Sequence, residues 1–157
     1  MIHPKREFME VAIEEALNSK NKGDYAVGAV IVKEDKIIVK VGNRIKLDKD
    51  PTQHAEIVAI REASKILGTR HLENCVLYTT HEPCPMCSSA AIWARMEGIV
   101  SGAKMEDMID YRIENSNEDW SWRTIHIKAS TIIEKGDPKI FLVEEFMRDE
   151  CRKLFHS

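Results

Sequence analysis

Residues 75–87 read Cys-Val-Leu-Tyr-Thr-Thr-His-Glu-Pro-Cys-Pro-Met-Cys, and their reading decides the fold. Cys75 to Thr80 is the third strand of the chain. Pro83 and Pro85 bracket Cys84 at the start of a helix, where a missing amide hydrogen costs little. A strand that runs straight into a helix carrying two cysteines sets up a layered α/β domain with chemistry at the strand's end.

On the N-terminal side, Phe8, Met9, Ala12, Ile13, Ala16 and Leu17 recur at helical spacing and predict a helix over about residues 4–20. The runs Ala26 to Val32 and Ile37 to Val41 flank the polar turn Lys33 to Lys36 and predict a hairpin. Asp50-Pro51-Thr52 signals a helix start. The stripe Ala55, Val58, Ala59, Ala63, Ile66 and Leu67 follows it and Gly68 ends it. On the C-terminal side the helix begun at Cys84 is expected to reach Arg95, and Gly98 to Ala103 forms a fourth strand. A fifth strand is expected within Thr124 to Ile133, and a terminal helix over Phe141 to Phe155 with Val143, Phe146, Met147 and Leu154 as apolar contacts. The order is α-β-β-α-β-α-β-(α)-β-α in one domain over residues 1–157.

Composition narrows the partners. The 157 residues are 43% hydrophobic and 31% charged, the balance of one globular core, and carry a net charge of -3. That charge speaks against nucleic acid, since phosphate binding rewards clustered Lys and Arg. No apolar run approaches the ~20 residues that span a bilayer, and no leader-like segment opens the chain, so a cytoplasmic protein without a membrane partner is expected. In a reducing compartment the close pair Cys84 and Cys87 reads as metal-binding or redox-active.

Two segments, His54-Ala55-Glu56 and Pro83-Cys84-Pro85-Met86-Cys87, carry the chemistry. Two thiolates and one imidazole (Cys84, Cys87 and His54) supply three ligands of a tetrahedral Zn²⁺ site and leave the fourth position for water, which is the catalytic arrangement. Cys84 and Cys87 sit side by side on one helical turn. His54 and Glu56 would diverge in mid-helix, but first-turn side chains lean toward the N-terminus and can converge beyond the helix end. Both helix N-termini then favour negative charge at the metal. Glu56 is placed as the proton carrier for water attack on an amidine-type carbon, with ammonia leaving. Read alone, Cys84 and Cys87 could be a redox pair or half of a structural zinc site, His54 a packed histidine and Glu56 a complement to the helix dipole.

His54-Ala-Glu56 followed by Pro83-Cys84-x-x-Cys87 resembles the signature of the cytidine deaminase-like zinc deaminases. Val27-Gly28-Ala29-Val30, Asn43, Asp50-Pro51-Thr52 and Ala91-Ile92-Trp93 are similar to the branch that holds bacterial guanine deaminases and tRNA adenosine deaminases. The resemblance implies a three-layer α/β/α fold around a mixed five-stranded sheet, a bound Zn²⁺ and a homodimer. It also implies that Asn43 bonds the substrate ring and that Trp93 belongs to the pocket. Asp110 and Glu114, in the acidic stretch after the fourth strand, could accept hydrogen bonds from a base.

The substrate expected is a nucleobase or nucleoside, guanine or a related aminopurine first. Alternatives are cytosine or a nucleoside; a tRNA adenosine, with Arg148, Arg152 and Lys153 as basic surface; and a zinc protein without catalysis. The tail Phe155-His156-Ser157 departs from the tyrosine-bearing segment that caps the pocket in guanine deaminases. Trp120 and Trp122, at the end of a polar loop, are candidates for a lid that stacks on a base.

Overall fold

The computed structural model describes residues 3–118 and 120–155; His156 and Ser157 of the tail lie outside the described residues. The elements are α1 (Arg6–Asn21), β1 (Gly28–Lys33), β2 (Lys36–Gly42), α2 (Ala55–Leu67), β3 (Cys75–His81), α3 (Pro85–Trp93), β4 (Gly98–Ala103), α4 (Met105–Asn115), α5 (Ala129–Lys135), β5 (Phe141–Val143) and α6 (Arg148–Arg152). A 3₁₀ turn over Lys153–Phe155 follows α6.

The strands form one mixed sheet of order β2-β1-β3-β4-β5. β1 pairs antiparallel with both β2 and β3, whereas β3–β4 and β4–β5 are parallel. Alternation along β1 assigns the two faces. Ala29 and Ile31 pack on Ala55, Ala59 and Ala63 of α2, Ala91 and Ile92 of α3 and Ile133 of α5. Val30 and Val32 join Phe8, Met9, Ala12 and Ala16 of α1, Met108 of α4 and Cys151 of α6. The result is the expected three-layer α/β/α arrangement.

Local chemistry accounts for the joints. The β1–β2 turn places Glu34 and Asp35 at φ 51° and 62°, the left-handed pair that a two-residue hairpin needs. Gly68 ends α2 at φ 67°. At Gly28 any Cβ would collide with the carbonyl of Ala12, so glycine lets α1 lie directly on β1.

Two expectations fail at the C-terminal end. The stretch expected to hold the fifth strand, Thr124 to Ile133, instead ends in α5, where Ala129 and Ile133 are buried one turn apart. The segment expected as a terminal helix begins as β5, whose Phe141, Leu142 and Val143 pair with Gly98, Ile99 and Val100. Only Arg148–Arg152 of it is α-helical. Burial of an Ile-bearing helical face overrides the β-branched run in the first case. In the second, the free edge of β4 captures three residues too few to show a period of two.

Candidate active site

The parallel pair β3–β4 and the starts of α2 and α3 meet at one end of the sheet. His54 is the N-cap residue of α2 and Cys84 the N-cap residue of α3, both in extended backbone, and neither side chain caps its own helix. Their side chains are therefore free to turn off the helix ends toward one point. His54 Nδ1 lies 3.6 Å from Cys84 Sγ and 3.5 Å from Cys87 Sγ. All three donor atoms fall within 4.8 Å of one another, the sole such group of His, Cys, Asp or Glu among the described residues.

That spacing fits a metal. Zn–S bonds of about 2.3 Å and a Zn–N bond of about 2.0 Å at a tetrahedral angle put nitrogen and sulfur about 3.5 Å apart. All four cysteines are free thiols, which leaves Cys84 and Cys87 available as ligands.

Charge among the side chains of the cluster is unevenly held. The hydrogen bond from Cys87 brings the Cys84 thiol down to about 4 against its burial, with His54 helping. Cys87 is driven well above its ordinary value by that same bond and by burial. Burial pulls His54 down, but its contact with Cys84 and the nearby Glu56 outweigh this and leave it raised. Glu56, 4% exposed, is pushed up to about 7 chiefly by burial, with His54 opposing and Cys84 adding. A buried carboxyl poised near neutrality can both take and give a proton.

Beside the cluster lies a cavity of about 560 Å³ whose lining includes His54, Glu56, Cys84, Asn43, Tyr25 and Trp122. Its size lies in the range of small-molecule sites. One wall is the segment 121–127, of which all but His126 line the cavity. Aromatic contacts anchor that wall. Trp122 meets Tyr25 edge to face at 5.4 Å and His81 at 5.3 Å, and the Tyr25 hydroxyl donates to the Ser121 carbonyl at 2.5 Å. The buried Glu82 carboxylate ties the far side together by accepting from the amides of Met105 and Ala129, the first residues of α4 and α5.

The other sequence candidates separate sharply. Asn43 lines the cavity, 3% exposed, with its carbonyl bonded to the Ala55 amide at 3.2 Å and its amide nitrogen bonded to Asp24 at 2.8 Å. Trp93 does not line the cavity; it is 82% exposed at the end of α3. Asp110 and Glu114 are exposed on α4 and do not line it either, because the buried face of that helix is the one carrying Asp107 and Met108. None of these three residues lines the cavity. Residue reading missed Asp24, Tyr25 and His81; Asp24 and Tyr25 sit in an apparent loop. Trp122 is legible as an aromatic residue at the end of a polar loop.

Comparisons with known proteins agree with this construction. Residues 3–103 match the family described as the cytidine and deoxycytidylate deaminase zinc-binding region. The chain belongs to that family, and it is a zinc-dependent deaminase. It is 48% identical over 99 residues to a tRNA-specific adenosine deaminase of Aquifex aeolicus, covering 63% of this chain and 66% of that one. It is 41% identical over 110 residues to the guanine deaminase of Bacillus subtilis, covering 69% and 70%. The chain thus spans about two thirds of the length of these relatives. A solved structure from work on A-to-I editing by tRNA:A34 deaminases superimposes with a TM-score of 0.75 at 27% identity, over 96% of this chain and 99% of that one.

Proposed function

We propose that residues 1–157 act as one deaminase domain on a free nucleobase or nucleoside, with guanine or a related aminopurine preferred. The observation that carries this reading is the aromatic-anchored wall 121–127 beside the His54, Cys84 and Cys87 cluster. It bounds a cavity of base or nucleoside size, where a polynucleotide substrate would also need a path for its backbone.

In this reading His54, Cys84 and Cys87 would hold the Zn²⁺, which would supply Lewis-acid chemistry at the site when bound. Glu56 is the catalytic acid and base. Its carboxylate takes a proton from the attacking water and delivers it to the ring nitrogen next to the reacting carbon, then takes the remaining proton from the added hydroxyl and passes it to the departing amine. Water adds, the C–N bond breaks, and the products are a ring carbonyl and ammonia. Asn43 holds the ring edge. The segment 121–127 excludes bulk water.

A tRNA adenosine is the second reading, favoured by the likeness to tRNA-specific adenosine deaminases. The basic surface suggested for it is largely spent. Arg148 pairs with Asp107 and Glu145, and Arg152 with Asp149.

A homodimer is proposed on the exposure of Trp93, at 82%, and Ile66, at 61%, on the neighbouring helices α3 and α2. The deciding experiment is ammonia release by zinc-loaded protein from guanine, adenine, cytosine, their nucleosides and a tRNA anticodon stem, with Glu56→Ala as the blank. Release from a free base or nucleoside supports the first reading. Release from the RNA alone replaces it with the second.

A further inference from the structure

Asp24 lies in the turn between α1 and β1, three residues before Val27 and remote in sequence from the metal cluster. It is 6% exposed, and both of its oxygens are fully engaged. Oδ1 accepts from the Tyr25 amide and from Asn43 Nδ2, each at 2.8 Å. Oδ2 accepts from the amides of Lys46 and Leu47 at 2.9 and 3.0 Å. Four donors on one buried carboxylate are more than a turn requires, and one of them is the side chain that lines the cavity.

Asn43 passes the constraint on. Its Oδ1 accepts from the amide of Ala55, the first residue of α2, whose own N-cap His54 provides no side-chain cap. Asn43 thus caps α2 from outside, on the turn that carries His54 and Glu56. Its backbone is held too, by the Ser19 hydroxyl on its carbonyl at 2.6 Å and the Val27 carbonyl on its amide at 2.9 Å.

The orientation of the amide is chemically determined. Turned over, it would set its oxygen against the Asp24 carboxylate and its NH₂ against the Ala55 N–H, two like-with-like contacts in a buried place. Nδ2 therefore faces Asp24 with one hydrogen committed and one left over.

We propose that Asp24 is a positioning residue of the deaminase. It fixes the polarity of Asn43 so that the amide nitrogen offers the cavity a donor, and the site takes rings that present an acceptor there, a ring nitrogen or a carbonyl oxygen. The proposal rests on the reading of Asn43 as a substrate contact.

The test compares wild type, Asp24→Asn, Asn43→Asp and the double variant for zinc content, melting temperature, kcat and KM on the panel above, and the side-chain amide resonance of Asn43 in ¹⁵N-labelled protein. Asp24→Asn should keep its zinc, raise KM about tenfold or more with a smaller change in kcat, and shift the Asn43 resonance with faster hydrogen exchange. Asn43→Asp sets two carboxylates together and should lower the melting temperature. Adding Asp24→Asn should restore melting but not turnover, because the cavity edge is now an acceptor. Wild-type kinetics together with an unmoved resonance in Asp24→Asn would overturn the proposal. If wild type is silent on every substrate, the functional reading fails instead, and the resonance and melting arms still decide what Asp24 does.

Discussion

The imidazole Nδ1 of His54 stands 3.5 Å from the sulfur of Cys87, although 33 positions separate them in the chain. Two helix starts on adjacent elements, not one local loop, create that distance. Cys87 is held well above the usual thiol range and His54 is raised, so both favour keeping their protons. Zinc must displace them. Zinc uptake near pH 7 should release about one proton or more per ion, seen as a dependence of the calorimetric heat on the buffer's ionisation enthalpy. Cys87→Ser should lose stoichiometric zinc. Buffer-independent heat would show that the cluster is already deprotonated and that its charge is arranged differently.

Glu56 offers a separable test of chemistry and fold. Glu56→Gln keeps the shape and removes the proton carrier, so zinc should stay and turnover should fall by roughly 10²–10⁴, the range of general acid–base catalysis. The pH dependence has a definite sign. Burial raises the folded carboxyl to about 7, above its ordinary range near 4.5. The folded state therefore binds more protons there, and the group's contribution is fully present below about pH 4.5 and lost as pH rises through about 7. In metal-free protein the melting temperature of wild type relative to Glu56→Gln should fall across that window. A constant difference from pH 5 to 8 would contradict the buried, proton-holding carboxyl.

Trp122 is predicted to serve binding more than stability. It is half-buried, meets Tyr25, His81 and Phe155, and forms part of the cavity wall. Trp122→Ala should raise KM about tenfold with zinc content unchanged, because the ring's apolar area leaves the site. Steady-state ammonia release on the preferred base reads this directly. An unaltered KM would remove the wall from the substrate contacts.

What could be read from the residues follows from how local each signal is. His54 with Glu56, and Cys84 with Cys87, are each one helical turn of sequence, and each helix start is marked by proline or an Asp-Pro pair. Convergence of the two needs only the strand order. β5 is different. Its three residues acquire strand geometry solely from the exposed edge of β4, and the helical spacing of Val143, Phe146, Met147 and Leu154 was fortuitous. Asp24 gives no signal because three of its four donors are backbone amides, which any sequence supplies. The acidic residues of α4 give no signal of which way they face: Asp110 and Glu114 have acceptor chemistry, but the helix turns Asp107 inward and leaves them exposed, away from the cavity.

Asp107 closes the far side of the fold and gives the last prediction. Its Oδ1 accepts from Arg148 Nη2 at 2.7 Å, and its Oδ2 from Arg148 Nε at 3.0 Å and from the Lys104 amide at 2.8 Å. This joins the first turn of α4 to α6, beside the end of the sheet that carries the site. Burial raises the carboxyl, but the Arg148 bonds and the Lys104 amide outweigh it and hold it below the ordinary range. A depressed carboxyl adds stability that is present above its unfolded value near 4 and lost as pH falls through the lower folded value. Asp107→Asn keeps the volume but turns one acceptor into a donor facing the guanidinium. Its melting temperature at pH 7 should drop by roughly 5 °C or more, with zinc retained. The gap to wild type should narrow below about pH 4, as wild-type Asp107 itself becomes protonated. A gap that stays constant down to pH 3 would mean that the shape of the side chain, not its charge, holds α6 to α4.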